Sequence, residues 1–180
     1  IPVCEVLAAA HAQGLVHRDI KPSNIFLHLD RSGEVVKVID FGIAKLVGDA
    51  PDTRVRPGTA TGLLVGTPVY IAPERFDGAA YDGAVDVFAV GVTLYEMLSG
   101  RLPFEADGNE WVRAMVRMLE PPVSLRKLDA SIPAALDDAV RRTLARDPRA
   151  RPSARELGEL LAAFPQPTAR AAPDHAAGPH

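Results

Sequence analysis

The spacing of apolar and polar positions in the first forty residues predicts one helix followed by a small sheet. Residues 5–13 are strong helix formers, and Gly14 is a natural helix stop. Apolar and polar positions alternate through residues 27–29, a Gly-containing segment follows at 31–33, and residues 35–39 are apolar except for Lys37. This pattern is typical of a short β-hairpin.

The second half of the chain carries mainly helical patterns. Ala84–Leu98 is apolar on every face, which predicts a buried helix that ends at Gly100. Trp111–Leu119 and Ala134–Leu144 have the apolar spacing of amphipathic helices, and the segment Ser153–Glu156 has the sequence of a capping box that starts a last helix. The fold class that follows is mainly α, with a small β-hairpin and a buried central helix.

Two segments interrupt this regular structure. Residues 45–66 have no sustained period and contain several Gly, Pro and Thr residues, so we expect a long loop, and loops of that length are usually functional. After Phe164 the composition turns to Pro, Ala and Gly. We therefore expect one domain over residues 1–164 and a disordered tail or linker over residues 165–180.

Composition narrows the class of protein only slightly. With 47% apolar residues, 24% charged residues and a net charge of −3, the 180-residue chain is an ordinary globular protein with no basic excess for nucleic acid. No apolar stretch approaches the roughly 18 residues of a membrane span. The single cysteine, Cys4, excludes an internal disulfide and suits a reducing cytosol. It is interpreted as a small buried hydrophobe, with a reactive thiol as the alternative.

Three short motifs that carry chemistry follow one another in a fixed order. They are His17–Asn24, which leads into the predicted hairpin, Asp40–Gly42, which follows it, and Gly66–Glu74. Each is weak alone, and an isolated Asp-Phe-Gly is more often a turn than a metal site. Their order, with Asn24 five residues after Asp19, is far more specific.

On these motifs the chain resembles the eukaryotic-type protein kinases from about residue 5 to residue 164, and its composition suggests a bacterial member. The resemblance implies ATP and Mg²⁺ as cofactors and a protein substrate. It assigns Asp19 to the proton of the substrate hydroxyl and Lys21 to the transferring phosphate, where Lys is typical of Ser/Thr-specific members. Asn24 and Asp40 would be metal ligands with hard oxygen atoms. The simpler alternatives are a turn residue for Asn24 and a strand-end cap for Asp40.

The resemblance also implies structural roles. Asp86, near the start of the buried helix, would hold the backbone of the His17–Arg18 turn, although a carboxylate at a helix N-terminus is the alternative. Glu74 and Arg151 would form an ion pair. Thr67 would use its hydroxyl to bond the catalytic Asp and Lys on the substrate platform. Four other histidines have no metal-ligand spacing and are interpreted as surface residues: His11, His28, His175 and His180.

Regulation is expected in the long loop. Thr59 and Thr61 have the position and spacing of activation-loop phosphorylation sites in similar bacterial kinases, and Arg18 beside the catalytic Asp would pair with the phosphate. The alternative is that both are merely exposed loop threonines. Thr53 is the next candidate.

No Gly-rich loop and no Val-Ala-Ile-Lys strand precede the catalytic motif in these residues, and the chain begins without Met. We therefore expect the C-terminal kinase lobe alone, cut from something longer. One hypothesis is a Ser/Thr kinase fragment, inactive alone and completed by an N-lobe partner, with a homodimer left open for trans-autophosphorylation. The other is a truncated, inactive lobe that binds substrates or partners. A cytoplasmic location fits both.

Overall fold

Five α-helices and one two-stranded sheet are formed within the residues that a computed structural model of the chain describes, which are 1–30, 33–41, 68–75, 80–104 and 120–165. Single 3₁₀ turns occur at residues 22–24, 68–70, 73–75 and 148–150. The described fold is mostly helical. Its elements in chain order are α1 (Pro2–His11), β1 (Ile25–Asp30), β2 (Gly33–Val38), α2 (Ala84–Ser99), α3 (Leu125–Leu128), α4 (Ala134–Thr143) and α5 (Ala154–Ala162).

Helix α2 lies at the centre of the core. Its residues are buried almost continuously from Val85 to Thr93, and the helix ends at Gly100, whose φ of 68° is the left-handed conformation that favours glycine. Phe88 is fully buried and stacks on Phe104 with 6.2 Å between ring centroids. The helix predicted at residues 84–98 therefore forms with nearly the predicted bounds.

Two apolar clusters meet on α2. One packs Phe88 and Val92 against α3 and α4, and the other packs Val87 and Val90 against α1 and α5. At Gly91 the backbone approaches α4 so closely that a Cβ atom would collide with the Thr143 side chain. Because both faces of α2 are covered, residues anchored on it are held in fixed positions.

Helix α1 packs across α5. Cys4 and Leu7 are buried against Leu157, and a Cβ atom at Gly158 would lie only 3.3 Å from the Cβ of Cys4. Cys4 is 2% exposed, so its interpretation as a small buried hydrophobe is confirmed. The helix begins at Pro2, before the predicted start at residue 5, because Pro fits the first turn of a helix.

The two strands form the predicted antiparallel hairpin. Ile25 pairs with Val38 and Leu27 with Val36, and the bond from the Ile39 amide to the Asn24 carbonyl, at 3.0 Å, continues the pairing past the strand ends. Residues 24 and 39 therefore lie side by side at the end of the hairpin. This brings the first two sequence motifs together.

Some of the remaining predicted elements are present in the structure, and others lie outside the described residues. Helix α5 begins with the predicted capping box, in which Ser153 and Glu156 exchange side-chain to backbone hydrogen bonds. The one-turn helix α3 was not predicted. The predicted helix at 111–119, the loop at 45–66 and nearly all of the tail lie outside the described residues. None of the described helices is long and apolar enough to cross a membrane.

Candidate active site

The carboxylate of Asp19 lies at the centre of a small polar cluster. Lys21 Nζ contacts Asp19 Oδ2 at 3.0 Å, and Asn24 Nδ2 donates to the same oxygen at 3.2 Å and to the Asp19 carbonyl at 2.7 Å. The 3₁₀ turn that starts at Pro22 brings Asn24 back to Asp19. The structure thus brings together three of the residues assigned from the sequence.

The donor set of Asn24 and Asp40 fits a hard cation. Both N–H groups of the Asn24 amide point to Asp19, which leaves its oxygen available as a ligand. Asp40 is exposed and directly follows Ile39, whose amide bonds the Asn24 carbonyl. Within the described ranges no three His, Cys, Asp or Glu side chains could hold a metal together. Mg²⁺ typically needs only one or two protein oxygens and completes its shell with phosphate and water.

His17 connects the turn at residues 17–21 to the segment that carries Asp40. Its Nδ1 accepts from the Asp19 amide at 3.3 Å, so the ring proton lies on Nε2, which donates to the Ile39 carbonyl at 3.0 Å. The ring also lies 4.5 Å from that of Phe41. His17 is completely buried. Sequence reasoning treated it only as part of a motif, but it joins the first two motifs physically.

Asp86 holds the backbone on the other side of this turn. Its two carboxylate oxygens accept from the amides of His17 and Arg18, each at 2.8 Å, and the residue is 1% exposed. A carboxylate buried to this degree needs such donors to offset its lost hydration. The contact is the one that the resemblance implied. Asp86 is held in position because it lies in the first turn of the buried helix α2.

The interpretation of His11 as a surface residue is wrong. His11 Nε2 lies 2.9 Å from Asp86 Oδ2, and because a carboxylate can only accept, Nε2 carries the proton. Gly83 makes room for the ring, since a Cβ atom there would collide with it. Asp86 therefore has a third donor, contributed by the end of α1. Spacing along the chain gave no signal of this contact, because the two residues are 75 positions apart.

Two non-glycine residues have positive φ within the described part of the chain, and both belong to the candidate site. They are Arg18, with φ of 70°, and Asp40, with φ of 57°. This conformation costs roughly 1–2 kcal/mol for a residue with a side chain. Such strain persists where surrounding contacts fix the backbone, and it is concentrated at functional sites.

The segment at residues 68–75 is tied to the core by two polar contacts. Arg151 donates to both carboxylate oxygens of Glu74, at 2.6 and 2.8 Å. Tyr70 donates to Glu96 Oε2 at 2.6 Å. Burial, followed by the hydrogen bond and the negative charge of Glu96, raises the pKa of Tyr70 well above its ordinary range, so the phenol stays protonated and donates at all physiological pH.

Three of the assigned residues, Thr59, Thr61 and Thr67, lie outside the described residues. Arg18, the expected phosphate partner, is described. Its guanidinium lies 5.6 Å from the ring centroid of Tyr81, and its buried Nε has no hydrogen-bond partner among the described residues. Arg75 and Tyr81 were not singled out from the sequence, and both contact the region around Arg18.

Comparison with known protein families shows which family this chain belongs to. The family model described as "Protein kinase domain" matches residues 2–160 of this chain. The chain belongs to that family. The match covers both the helical core and the polar cluster around Asp19, so the site lies inside the shared domain.

Bacterial Ser/Thr protein kinases are among the proteins to which the chain is similar. Serine/threonine-protein kinase Pkn1 of Myxococcus xanthus is 45% identical over 151 residues, which are 83% of this chain and 21% of that protein. PknA of Mycobacterium tuberculosis is 43% identical over 145 residues, which are 81% of this chain and 31% of that protein. Kinase A of Synechocystis is 38% identical over 151 residues, 82% of this chain and 27% of that protein. The chain therefore spans about a fifth to a third of the length of these relatives.

Proposed function

We propose that this chain provides the catalytic and substrate-binding side of a Ser/Thr protein kinase, which transfers the γ-phosphate of ATP to protein hydroxyl groups. The observation that carries the proposal is the contact of Asp19 with both Lys21 and Asn24, beside Asp40. A carboxylate, a cation and two oxygen ligands in one place are what phosphoryl transfer requires.

Each side chain then has a definite task. Asp19 orients the substrate hydroxyl and accepts its proton, and Asn24 keeps that carboxylate in place by donating to it. Lys21, at 3.0 Å from Asp19, carries a positive charge to the transferring phosphate. Asn24 and Asp40 would hold Mg²⁺, which neutralises phosphate charge when bound. Protein Ser and Thr residues are the proposed acceptors, and the relatives' names agree with this.

Exposed apolar side chains on strand β1 support the need for a second lobe. Phe26, Leu27 and Leu29 are 50%, 66% and 51% exposed, although all three are apolar residues on one strand. An apolar surface next to a polar site is typical of a region that packs against a ligand or another part of a protein. We therefore propose that an N-lobe closes over this strand and that the chain is inactive without it. We place the reaction in the cytoplasm, where ATP is available.

The test uses the complete kinase domain that contains this chain, with labelled ATP, Mg²⁺ and a generic basic protein. Asp19→Asn and Asp40→Asn should each lower kcat by about 100-fold or more, because one removes the proton acceptor and the other removes the negative charge of a metal ligand. Asp138→Asn, an exposed carboxylate on α4, is the matched control and should keep full activity.

The proposal fails if either site variant keeps near-normal turnover while the control does the same. The chain alone should show no measurable transfer under these conditions. Turnover by the chain alone that Asp19→Asn abolishes would keep the proposed chemistry and reject the requirement for a second lobe.

A further inference from the structure

Arg75 contacts the turn at residues 17–21 from a segment that is distant in sequence. Its Nη1 donates to the carbonyl oxygen of Arg18 at 2.8 Å, across 57 residues of chain, and the contact is partly buried. Arg75 directly follows Glu74, whose carboxylate is held at both oxygens by Arg151. The backbone from which Arg75 extends is therefore anchored to the core.

The carbonyl that Arg75 contacts belongs to the peptide group that joins Arg18 to Asp19. The amide nitrogen of the same peptide group donates to His17 Nδ1 at 3.3 Å. On the preceding side, Asp86 accepts from the amide of Arg18. Since Arg18 has a positive φ, this peptide plane has an orientation that a residue with a side chain does not favour by itself. Arg75 and His17 hold its two polar ends.

An aromatic ring supports the arginine. The guanidinium carbon of Arg75 lies 5.5 Å from the ring centroid of Tyr81, and that of Arg18 lies 5.6 Å from the same centroid. The negative face of an aromatic ring attracts cations at this distance. Tyr81 precedes α2, the helix that carries Asp86. The ring thus favours two positive charges in a region where they would otherwise repel each other.

We propose that Arg75 is a positioning residue for Asp19, with Tyr81 as its support. A rotation of the Arg18–Asp19 peptide would turn the Cα–Cβ bond of Asp19 and move its carboxylate away from Lys21 and Asn24. Arg75 opposes this rotation through the carbonyl oxygen. The inference rests on the proposed function, because it takes Asp19 as the catalytic carboxylate.

The kinetic test compares Arg75→Met, Arg75→Lys and the control Arg149→Met in the complete kinase domain. Met keeps an unbranched side chain of about the length of the aliphatic part of Arg and removes the donor groups, whereas Lys keeps a positively charged donor group. Arg75→Met should lower kcat by about tenfold or more and leave the KM for ATP and peptide within about twofold, because a small misplacement of a catalytic group costs turnover. Arg75→Lys should recover part of the loss. Arg149, an exposed residue outside the site, should change nothing.

A double variant separates positioning from general destabilisation. If Arg75 acts through Asp19, then Arg75→Met should have little further effect once Asp19→Asn is present, since the group that it positions is gone. Two independent losses that multiply would overturn the proposal. So would a fall in kcat that only follows the fraction of folded protein, measured by thermal unfolding.

Amide hydrogen exchange gives a readout that does not depend on activity. Arg75→Met should accelerate exchange in a peptide that contains residues 17–21 and leave α2 protected, whereas unchanged exchange in residues 17–21 would overturn the proposal. If Asp19→Asn keeps its activity, the proposed function fails. The exchange result still decides in that case whether Arg75 holds the Arg18–Asp19 peptide.

Discussion

Arg151 and Glu74 form a bidentate ion pair across 77 residues of chain, with N–O distances of 2.6 and 2.8 Å. The Arg151 side chain is fully buried, and that of Glu74 is 11% exposed. Arg151 also donates to the carbonyl oxygens of Ala145 and Ala84, at 2.8 and 3.0 Å, and its guanidinium lies 5.0 Å from the Phe88 ring centroid. One side chain therefore joins the segment at residues 68–75 to the start of α2 and to the loop before α5.

Breaking this ion pair should lower the free energy of unfolding substantially. Glu74→Gln leaves a buried guanidinium that cannot lose its charge, so we expect the free energy of unfolding to fall by about 3–5 kcal/mol. Urea denaturation followed by circular dichroism measures this. The exposed pair of Arg141 with Asp138 is the matched control, and Asp138→Asn should cost only about 0–1 kcal/mol. Equal losses in the two variants would mean that the buried pair does not anchor the segment.

The sequence predicted the parts of the fold that local rules determine. The buried helix α2, the hairpin and the capping box of α5 follow from periodicity, turn residues and the Ser153–Glu156 spacing. The Glu74–Arg151 pair and the contact of Asp86 with the amides of His17 and Arg18 were predicted from family resemblance. No local rule indicates which residues meet across 68 or more positions of the chain.

Contacts that form only when distant elements pack together were not predicted from the sequence, for the same reason. His11 was assigned to the surface because it has no metal-ligand spacing, and its contact with Asp86 depends on how the end of α1 meets the start of α2. Arg75 directly follows the motif Gly66–Glu74. Its donation to the Arg18 carbonyl depends on the 3₁₀ turn Pro73–Arg75, which places the side chain. A helix period identifies a buried face, but it does not identify the residue that the face meets.

Gly83 should tolerate no side chain while His11 stays bound to Asp86. Its φ of −61° suits alanine, so backbone strain is not the reason. A Cβ atom would displace the His11 ring and remove one of three donors from a buried carboxylate. We expect Gly83→Ala to lower the free energy of unfolding by about 1.5–3 kcal/mol, the range for a hydrogen bond to a charged group.

A double-mutant cycle tests this explanation. His11→Ala should cost a similar amount, and Gly83→Ala should cost little more in the His11→Ala background, since the clash no longer exists. Full additivity of the two losses would show that the clash with His11 is not the cause.

Alkaline pH should weaken the fold through Cys4. Burial raises the pKa of this thiol, so the native state keeps its proton at a pH where the unfolded state has lost it. The stabilisation is therefore complete below the pKa of an unfolded-state thiol and declines as the pH rises through and above it. Tyr70, whose pKa is also raised, acts in the same direction at still higher pH.

Two measurements check the role of Cys4. Iodoacetamide should alkylate the native protein at pH 8 at least about tenfold more slowly than the urea-unfolded protein, because a buried thiol is both protonated and inaccessible. The alkaline decline in unfolding free energy should be shallower in Cys4→Ala. Rapid alkylation of the native protein would contradict the buried position.

The last prediction is that Thr59 and Thr61 are the activating phosphorylation sites of the complete kinase. Both lie in the predicted loop, outside the described residues. Arg18 is the proposed partner, and its buried Nε has no hydrogen-bond partner in the described part of the chain. A guanidinium in this state next to Asp19 is suited to a phosphate, with which it can form charge-assisted bonds that order the loop.

The charge that a phosphate would add decides which of the four threonines at positions 53, 59, 61 and 67 are the expected sites. Thr67 lies closest in sequence to the segment at residues 68–75, and the resemblance implies that its hydroxyl lies near Asp19. A phosphate there would add about two negative charges beside a catalytic carboxylate and repel it. Thr53 lies farther from that segment and is the control. Loss of the phosphates on Thr59 and Thr61 removes charge-assisted bonds worth about 1.5–3 kcal/mol, so activity should fall by at least about tenfold.

Mass spectrometry of the active kinase should find phosphate on Thr59, Thr61 or both. The Thr59→Ala/Thr61→Ala variant should then lose activity, while Thr53→Ala should keep it. Arg18→Met should remove most of the difference between the phosphorylated and phosphatase-treated enzyme, since it deletes the proposed partner. A fully active double variant, or an active enzyme with neither threonine phosphorylated, would contradict the assignment. Thr53 would then become the leading candidate, because it is the remaining threonine in the loop whose phosphorylation would not place charge beside Asp19.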